Sequence, residues 1–245
     1  MENFDYYDHT RDLTFHKIIV KENPREQSYE DNEIISILKS WKTPSIVEYL
    51  LCGNNSYTLG DFFCELVLDN TDVESSLYCV FDGKSQEVIG TTLLVPDYRI
   101  THRDVLAKAL KARLITEALP HLTETLKKYV PSTDLTTEQL FTLLDDNAKG
   151  LLVSGLCVNP NQSPTKPNGD KNMFGDRIIK SIINNPIYFN GVQPLCIMGN
   201  VDKSNTPSNN LLQRNEFYKL HNPAPNGFNS YYKFEDMHMC MELGI

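Results

Sequence analysis

The chain has 245 residues, with 23 Lys+Arg against 32 Asp+Glu, and is 40% hydrophobic and 22% charged. Such values exclude wholesale disorder and suit a globular protein long enough to bury a core without disulfide or metal staples. The net charge of −9 comes with scattered basic residues, none in a run longer than Lys127-Lys128, so no nucleic acid partner is expected.

The six cysteines, at 52, 64, 79, 157, 196 and 240, form no CxxC pair. Several sit in apolar runs and read as reduced core residues, which points to a reducing, cytoplasmic setting. Met1–Asp12 is polar and acidic, unlike a signal peptide. No apolar run reaches the ~20 residues of a membrane span, so no membrane association is expected.

Leu13–Val20 alternates as a first strand. Asp31 is placed to cap a helix whose apolar face holds Ile34, Ile37, Leu38 and Trp41. Pro44 ends that helix or starts the next element, Ser45–Leu51. Asp61–Leu68 reads as a helix with Phe62, Phe63, Leu66 and Val67 inward. Leu77–Phe81 and Val88–Val95 flank Asp82-Gly83, a hairpin cue. From Arg103 to Leu144 the spacing turns helical, with Pro120 interrupting it and Thr136/Gln139 at capping-box spacing. Leu151–Val158 is an apolar strand, followed by a polar loop at Asn161–Asn172. Gly175 is expected to open a helix with Ile178, Ile179, Ile182 and Ile183 on one face. Val192–Val201 is a strand, Ser204–Asn215 a short helix, and Phe234–Leu243 a terminal strand.

Leu151–Ile183 is the stretch with chemical content. A buried strand running through a polar loop into a helix N-terminus presents unpaired N–H groups and a positive dipole end to an anion. Lys171 adds a point charge suited to phosphate. No Walker A, HExxH, GxSxG or EF-hand pattern is present, and no metal is expected.

Three stretches resemble the GNAT family of acetyl-CoA-dependent N-acetyltransferases. Leu77–Val95, with Val88-Ile89-Gly90, is similar to the family's central hairpin. Leu151–Ile183, with Leu156-Cys157-Val158-Asn159-Pro160, is similar to its cofactor strand, pyrophosphate loop and helix. Leu195–Phe217 is similar to its pattern N-x-x-[SA]-x-x-L-[Y]-x-x-x-G-F, and Ile34–Leu68 stands where the family has its first helices. The pyrophosphate window Asp170–Gly175 keeps the last glycine of [RQ]-x-x-G-x-[GA], with Asp170 and Met173 at the first and middle positions. Leu212 stands at the family's tyrosine and Glu216 at the glycine before Phe217.

The resemblance implies an α/β (α+β) fold: a mixed, mostly antiparallel central sheet flanked by helices on both faces. It implies one domain over residues 1–245, with a helical insertion at about 98–148. It implies acetyl-CoA as co-substrate, its pantetheine held at Leu156, Cys157 and Val158 by backbone groups. The strand should part from its neighbour past Val158 to leave a slot for that arm. The pyrophosphate falls to Lys171, Asn172, Met173, Phe174, Gly175 and Asp176, and Asn205 matches the asparagine that supports the cofactor. The implied reaction is acetyl transfer to a primary amine, of a small molecule or a peptide, by direct attack. The chain's own reading offers Asp97 as the base that takes the amine's proton, with turn chemistry after Pro96 as its plain alternative. Cys157 reads as core rather than nucleophile, and His9 and His16 show no partner for metal binding. A GNAT-like module that binds without catalysing is the competing expectation. Self-association is left open.

Overall fold

The computed structural model describes residues 5–51, 53–69, 75–99, 136, 149–162, 173–192, 194, 196–219 and 227–234. The helices expected between Arg103 and Leu144, most of the terminal strand, Lys171 and Asn172 lie outside these residues. The chain divides into two compact units, residues 1–96 with 153–185, and residues 97–152 with 186–245.

The first unit contains β1 (Tyr6–Asp8), β2 (Leu13–Ile18), α1 (Tyr29–Ser40), α2 (Pro44–Tyr49), α3 (Leu59–Asp69), β3 (Ser76–Asp82), most of β4 (Val88–Arg99), the second half of β5 (Lys149–Val158), and α4 (Phe174–Asn184). Its strands lie in the order β1-β2-β3-β4-β5. The first three pairings are antiparallel, with Phe15 opposite Val80 and Leu77 opposite Leu93. The Asn159 N–H donates to the Ile89 carbonyl at 2.9 Å, and Gly155 lies against Leu93. Numbers fall on β4 as they rise on β5, so this pair is antiparallel too.

Helices cover both faces of this sheet. On one, Ile34, Ile35 and Leu38 of α1, and Leu59 and Phe63 of α3, pack with Leu77, Cys79, Leu93 and Cys157. On the other lies α4, whose Ile178, Ile179 and Ile182 are fully buried. Burial of each such side chain contributes ~1.5–3 kcal/mol. The approach is close on both faces. A Cβ at Gly90 would meet Ile178 Cδ1 at 2.6 Å, and one at Gly155 would meet Phe63 Cε1 at 2.9 Å.

The caps differ in part from expectation. Ser28, not Asp31, caps α1: its Oγ accepts from the Asp31 N–H at 3.0 Å, and its hydroxyl donates to the Asp31 carboxylate at 2.6 Å. Asp31 lies one turn in and accepts from His16 Nε2 at 3.2 Å. A buried carboxylate beside an imidazole is better satisfied there than at the exposed cap. Pro44 is the first residue of α2, where its missing N–H costs nothing.

The second unit holds α5 (Pro186–Asn190), β6 (Cys196–Asp202), α6 (Thr206–Arg214), β7 (Tyr218–Lys219) and β8 (Phe228–Phe234). Its strands run β6-β8-β7, both pairings antiparallel. The last described strand thus ends at Phe234, where the expected one begins. Phe228–Lys233 alternates only loosely, which hides it among Asn and Ser residues. Among the described residues no helix is long and apolar enough to cross a membrane.

Candidate functional site

The first part of the candidate site is the strand–loop–helix unit of β5 and α4. The Cys157 carbonyl lies against Gly90 and the Asn159 N–H bonds to Ile89, so both face β4. Alternation along an extended strand then turns the peptide groups of Leu156 and Val158 away from β4. Those are the groups the resemblance assigns to the pantetheine. The Cys157 thiol is buried, and burial pushes it up to about 12. It stays protonated and is no nucleophile at neutral pH.

Helix α4 begins at Phe174, not at Gly175, which is its second residue. Met173 is the N-cap and makes no side-chain cap bond. A thioether accepts hydrogen bonds poorly, so Met173 is a poor side-chain cap for the first turn. Met173 itself is 42% exposed. Asp176 is buried in that first turn.

Arg177, the first basic residue of α4, is committed elsewhere. Its guanidinium donates to Asp82 at 3.0 Å and to the Arg11 carbonyl at 2.8 Å. Burial alone would raise the Asp82 carboxyl. The amides of Ser85 and Lys84 and the guanidinium outweigh it and hold the group below its usual range. Farther along α4, Ser181 Oγ donates to the buried Asp8 carboxylate, which also pairs with Arg11 at 3.1 Å. Burial again works upward, and these bonds hold Asp8 low. The sequence does not mark the bonds made by Arg177 and Ser181, because their partners lie more than 90 positions away.

The second part belongs to the other unit. Asn205 caps α6, its Oδ1 accepting from the Ser208 N–H at 3.2 Å. Behind it, the Asn209 side chain makes four bonds. Its Nδ2 donates to the Asp202 and Asn205 carbonyls at 2.8 and 2.7 Å, and its Oδ1 accepts from Asn229 and Tyr231, each at 2.7 Å. The turn from β6 into α6 is thereby fixed. Leu212 is buried, and a Cβ at Gly199 of β6 would lie 3.1 Å from its Cδ1. No acidic hydroxyl stands at that position.

The helix closes in a Schellman motif. Phe217 N–H reaches the Leu212 carbonyl at 3.0 Å and Glu216 N–H the Gln213 carbonyl at 2.9 Å. Glu216 has φ +61, the left-handed conformation that glycine adopts freely. Its carboxylate lies 3.4 Å from the Lys233 ammonium, which also donates to the Asn215 carbonyl at 3.0 Å.

Asp97 is exposed, with φ +50. Its N–H donates to Asn190 Oδ1 at 2.9 Å. No sequence pattern singles out Asn190, so this partner goes unseen there.

Among the described residues no group of three or more His, Cys, Asp or Glu side chains could hold a metal ion. His16 lies between Asp5, at 2.8 Å from Nδ1, and Asp31. The first unit also carries a groove of about 500 Å³ between α1 and the β3–β4 turn. Ile34, Ile37, Phe81 and Val88 line it together with Glu30, Glu33 and Glu87.

No family model and no curated protein sequence matches this chain. Among solved structures it is similar to the N-acetyltransferase PseH of Campylobacter jejuni, with 14% identity and a TM-score of 0.44 over 92% of this chain and 99% of that one. It is similar to the spermidine N-acetyltransferase of Vibrio cholerae in complex with CoA and spermine, with 13% identity and a TM-score of 0.45 over 93% and 98%. It is also similar to a GNAT-family acetyltransferase of Bacillus anthracis, with 11% identity and a TM-score of 0.46 over 96% and 99%.

Proposed function

We propose that the chain is an acetyl-CoA-dependent N-acetyltransferase acting on a primary amine, with residues 1–245 working as one catalytic domain. The observation that carries this reading is the start of α4, where the N-cap Met173 makes no side-chain cap bond. The helix follows a strand whose Leu156 and Val158 peptide groups turn away from their β4 neighbour. A chain that needed α4 only for packing gains stability from Ser, Thr or Asp at the N-cap, and Met173 forgoes it.

In this reading the pantetheine lies along the end of β5 and pairs with the Leu156 and Val158 backbone. The pyrophosphate takes the N–H groups at the start of α4, with Lys171 and Asn172 from the preceding loop, and Asn205 supports the cofactor. Asp97 takes a proton from the ammonium of the acceptor. The freed amine forms the C–N bond at the thioester carbon, the C–S bond breaks, and the CoA thiolate leaves and is protonated. The acidic balance of the chain favours a cationic acceptor.

The buried Leu212 favours a second reading, a module that binds acetyl-CoA or a partner without transferring. Calorimetric titration with acetyl-CoA and CoA tests both. Micromolar binding that is lost in Gly175→Trp, together with acetylation of an amine, is the expected result. Binding without transfer selects the second reading, and no binding at millimolar ligand removes both cofactor roles.

A further inference from the structure

A non-glycine residue keeps a left-handed backbone only when its surroundings hold it there. Asp97 is such a residue, and it stands within β4, where extended backbone is the rule. Its N–H is held by a side chain 93 positions away in sequence.

The holder is itself fixed. Asn190 is 7% exposed, at the end of α5. Its Oδ1 accepts from Asp97, and its Nδ2 donates to the Val192 carbonyl at 3.1 Å. Gly191, at φ +75, makes the turn between donor and acceptor. One end of an amide must accept and the other must donate, so only one orientation of this side chain satisfies both partners. Glycine or asparagine fits a left-handed position at lower cost than aspartate. A buried amide is thus committed to keeping a carboxylate-bearing residue in a conformation it does not favour, while the carboxylate itself is exposed.

We propose that Asn190 is a positioning residue for acetyl transfer. By bonding the Asp97 amide it fixes the backbone from which the Asp97 carboxylate takes the acceptor's proton. This rests on the transferase reading of Asp97 given above.

The experiment compares the full-length protein with Asn190→Leu and Asn190→Asp, using acetyl-CoA with spermidine, benzylamine and a lysine peptide as acceptors. Asn190→Leu removes the bond. It should raise hydrogen exchange of the Asp97 amide at least tenfold and lower kcat at least tenfold, with KM for acetyl-CoA unchanged. Asn190→Asp keeps an acceptor for the amide and places a second carboxylate nearby. It should retain protection of the Asp97 amide and move the acid limb of kcat/KM to higher pH, because a like charge disfavours ionisation of Asp97. Where Asn190→Leu does not fold, the Asn190→Asp profile decides alone. An unmoved acid limb, or a rate loss no larger than the loss of folded protein, overturns the proposal and leaves the transferase reading standing. Absence of transfer by the unsubstituted protein with acetyl-CoA bound overturns the reading itself, and the positioning role with it.

Discussion

Helices α4 and α6 both follow a strand, yet their N-termini are built in opposite ways. At α6 the donors are spoken for: Asn205 caps the first turn, and Asn209 locks that turn to β6 and β8 through four bonds. At α4 the N-cap Met173 makes no side-chain cap bond, and the helix is anchored farther along, through Arg177, Ser181 and its isoleucine stripe. A helix held by its body can leave its positive end open. A helix held at its start cannot. By that difference the start of α4 is the better suited of the two to an anion, and the start of α6 is the more rigid.

The largest expected effect lies at α6. Asn209→Leu removes all four side-chain bonds and takes from the Asn229 amide its Asn209 acceptor, while the Asp202 and Asn205 carbonyls keep their backbone donors; it should cost roughly 2–4 kcal/mol in urea unfolding. A cost near zero would show that the network is not what fixes α6. An intermediate effect concerns the anchoring of α4. The Asp8 carboxyl is held below its ordinary range in the folded protein. Its stabilisation is therefore full above about pH 4 and is lost as pH falls through the folded-state value. Urea midpoints followed between pH 3 and 6 should drop less steeply for Asp8→Asn than for the natural protein. Parallel curves would assign the acid sensitivity to other groups, Asp82 first. The smallest effect is at the open end. Met173→Ser supplies a cap and should raise stability by ~0.5–1 kcal/mol while weakening acetyl-CoA binding, since its hydroxyl competes for the same N–H groups. Higher stability with unchanged affinity would remove the α4 terminus from the cofactor site.

Much of this was legible in the sequence where period and burial agree. The hairpin β3–β4, the apolar run of β5 and the isoleucine spacing of α4 each carry a strong local signal, and each forms near its expected bounds. The short elements carry none: β1, β7 and α5 have three, two and five residues. Asp31 has cap chemistry, yet a cap is chosen by geometry. Ser28 takes the role, because Asp31 is needed by His16. At the candidate site, sequence could name Asp97 and Asn205 as residues of suitable type. It could not reveal Asn190 or Asn209, whose meaning lies in bonds to distant backbone and side chains.

Glu216 carries one more consequence. The position keeps the left-handed angle that a glycine would supply, and puts the side chain that glycine lacks beside Lys233. A pattern written in letters scores a mismatch there. A pattern written in torsion angles scores a match. What lets the chain leave α6 toward Phe217 is the torsion angle at this position, not the type of residue that adopts it.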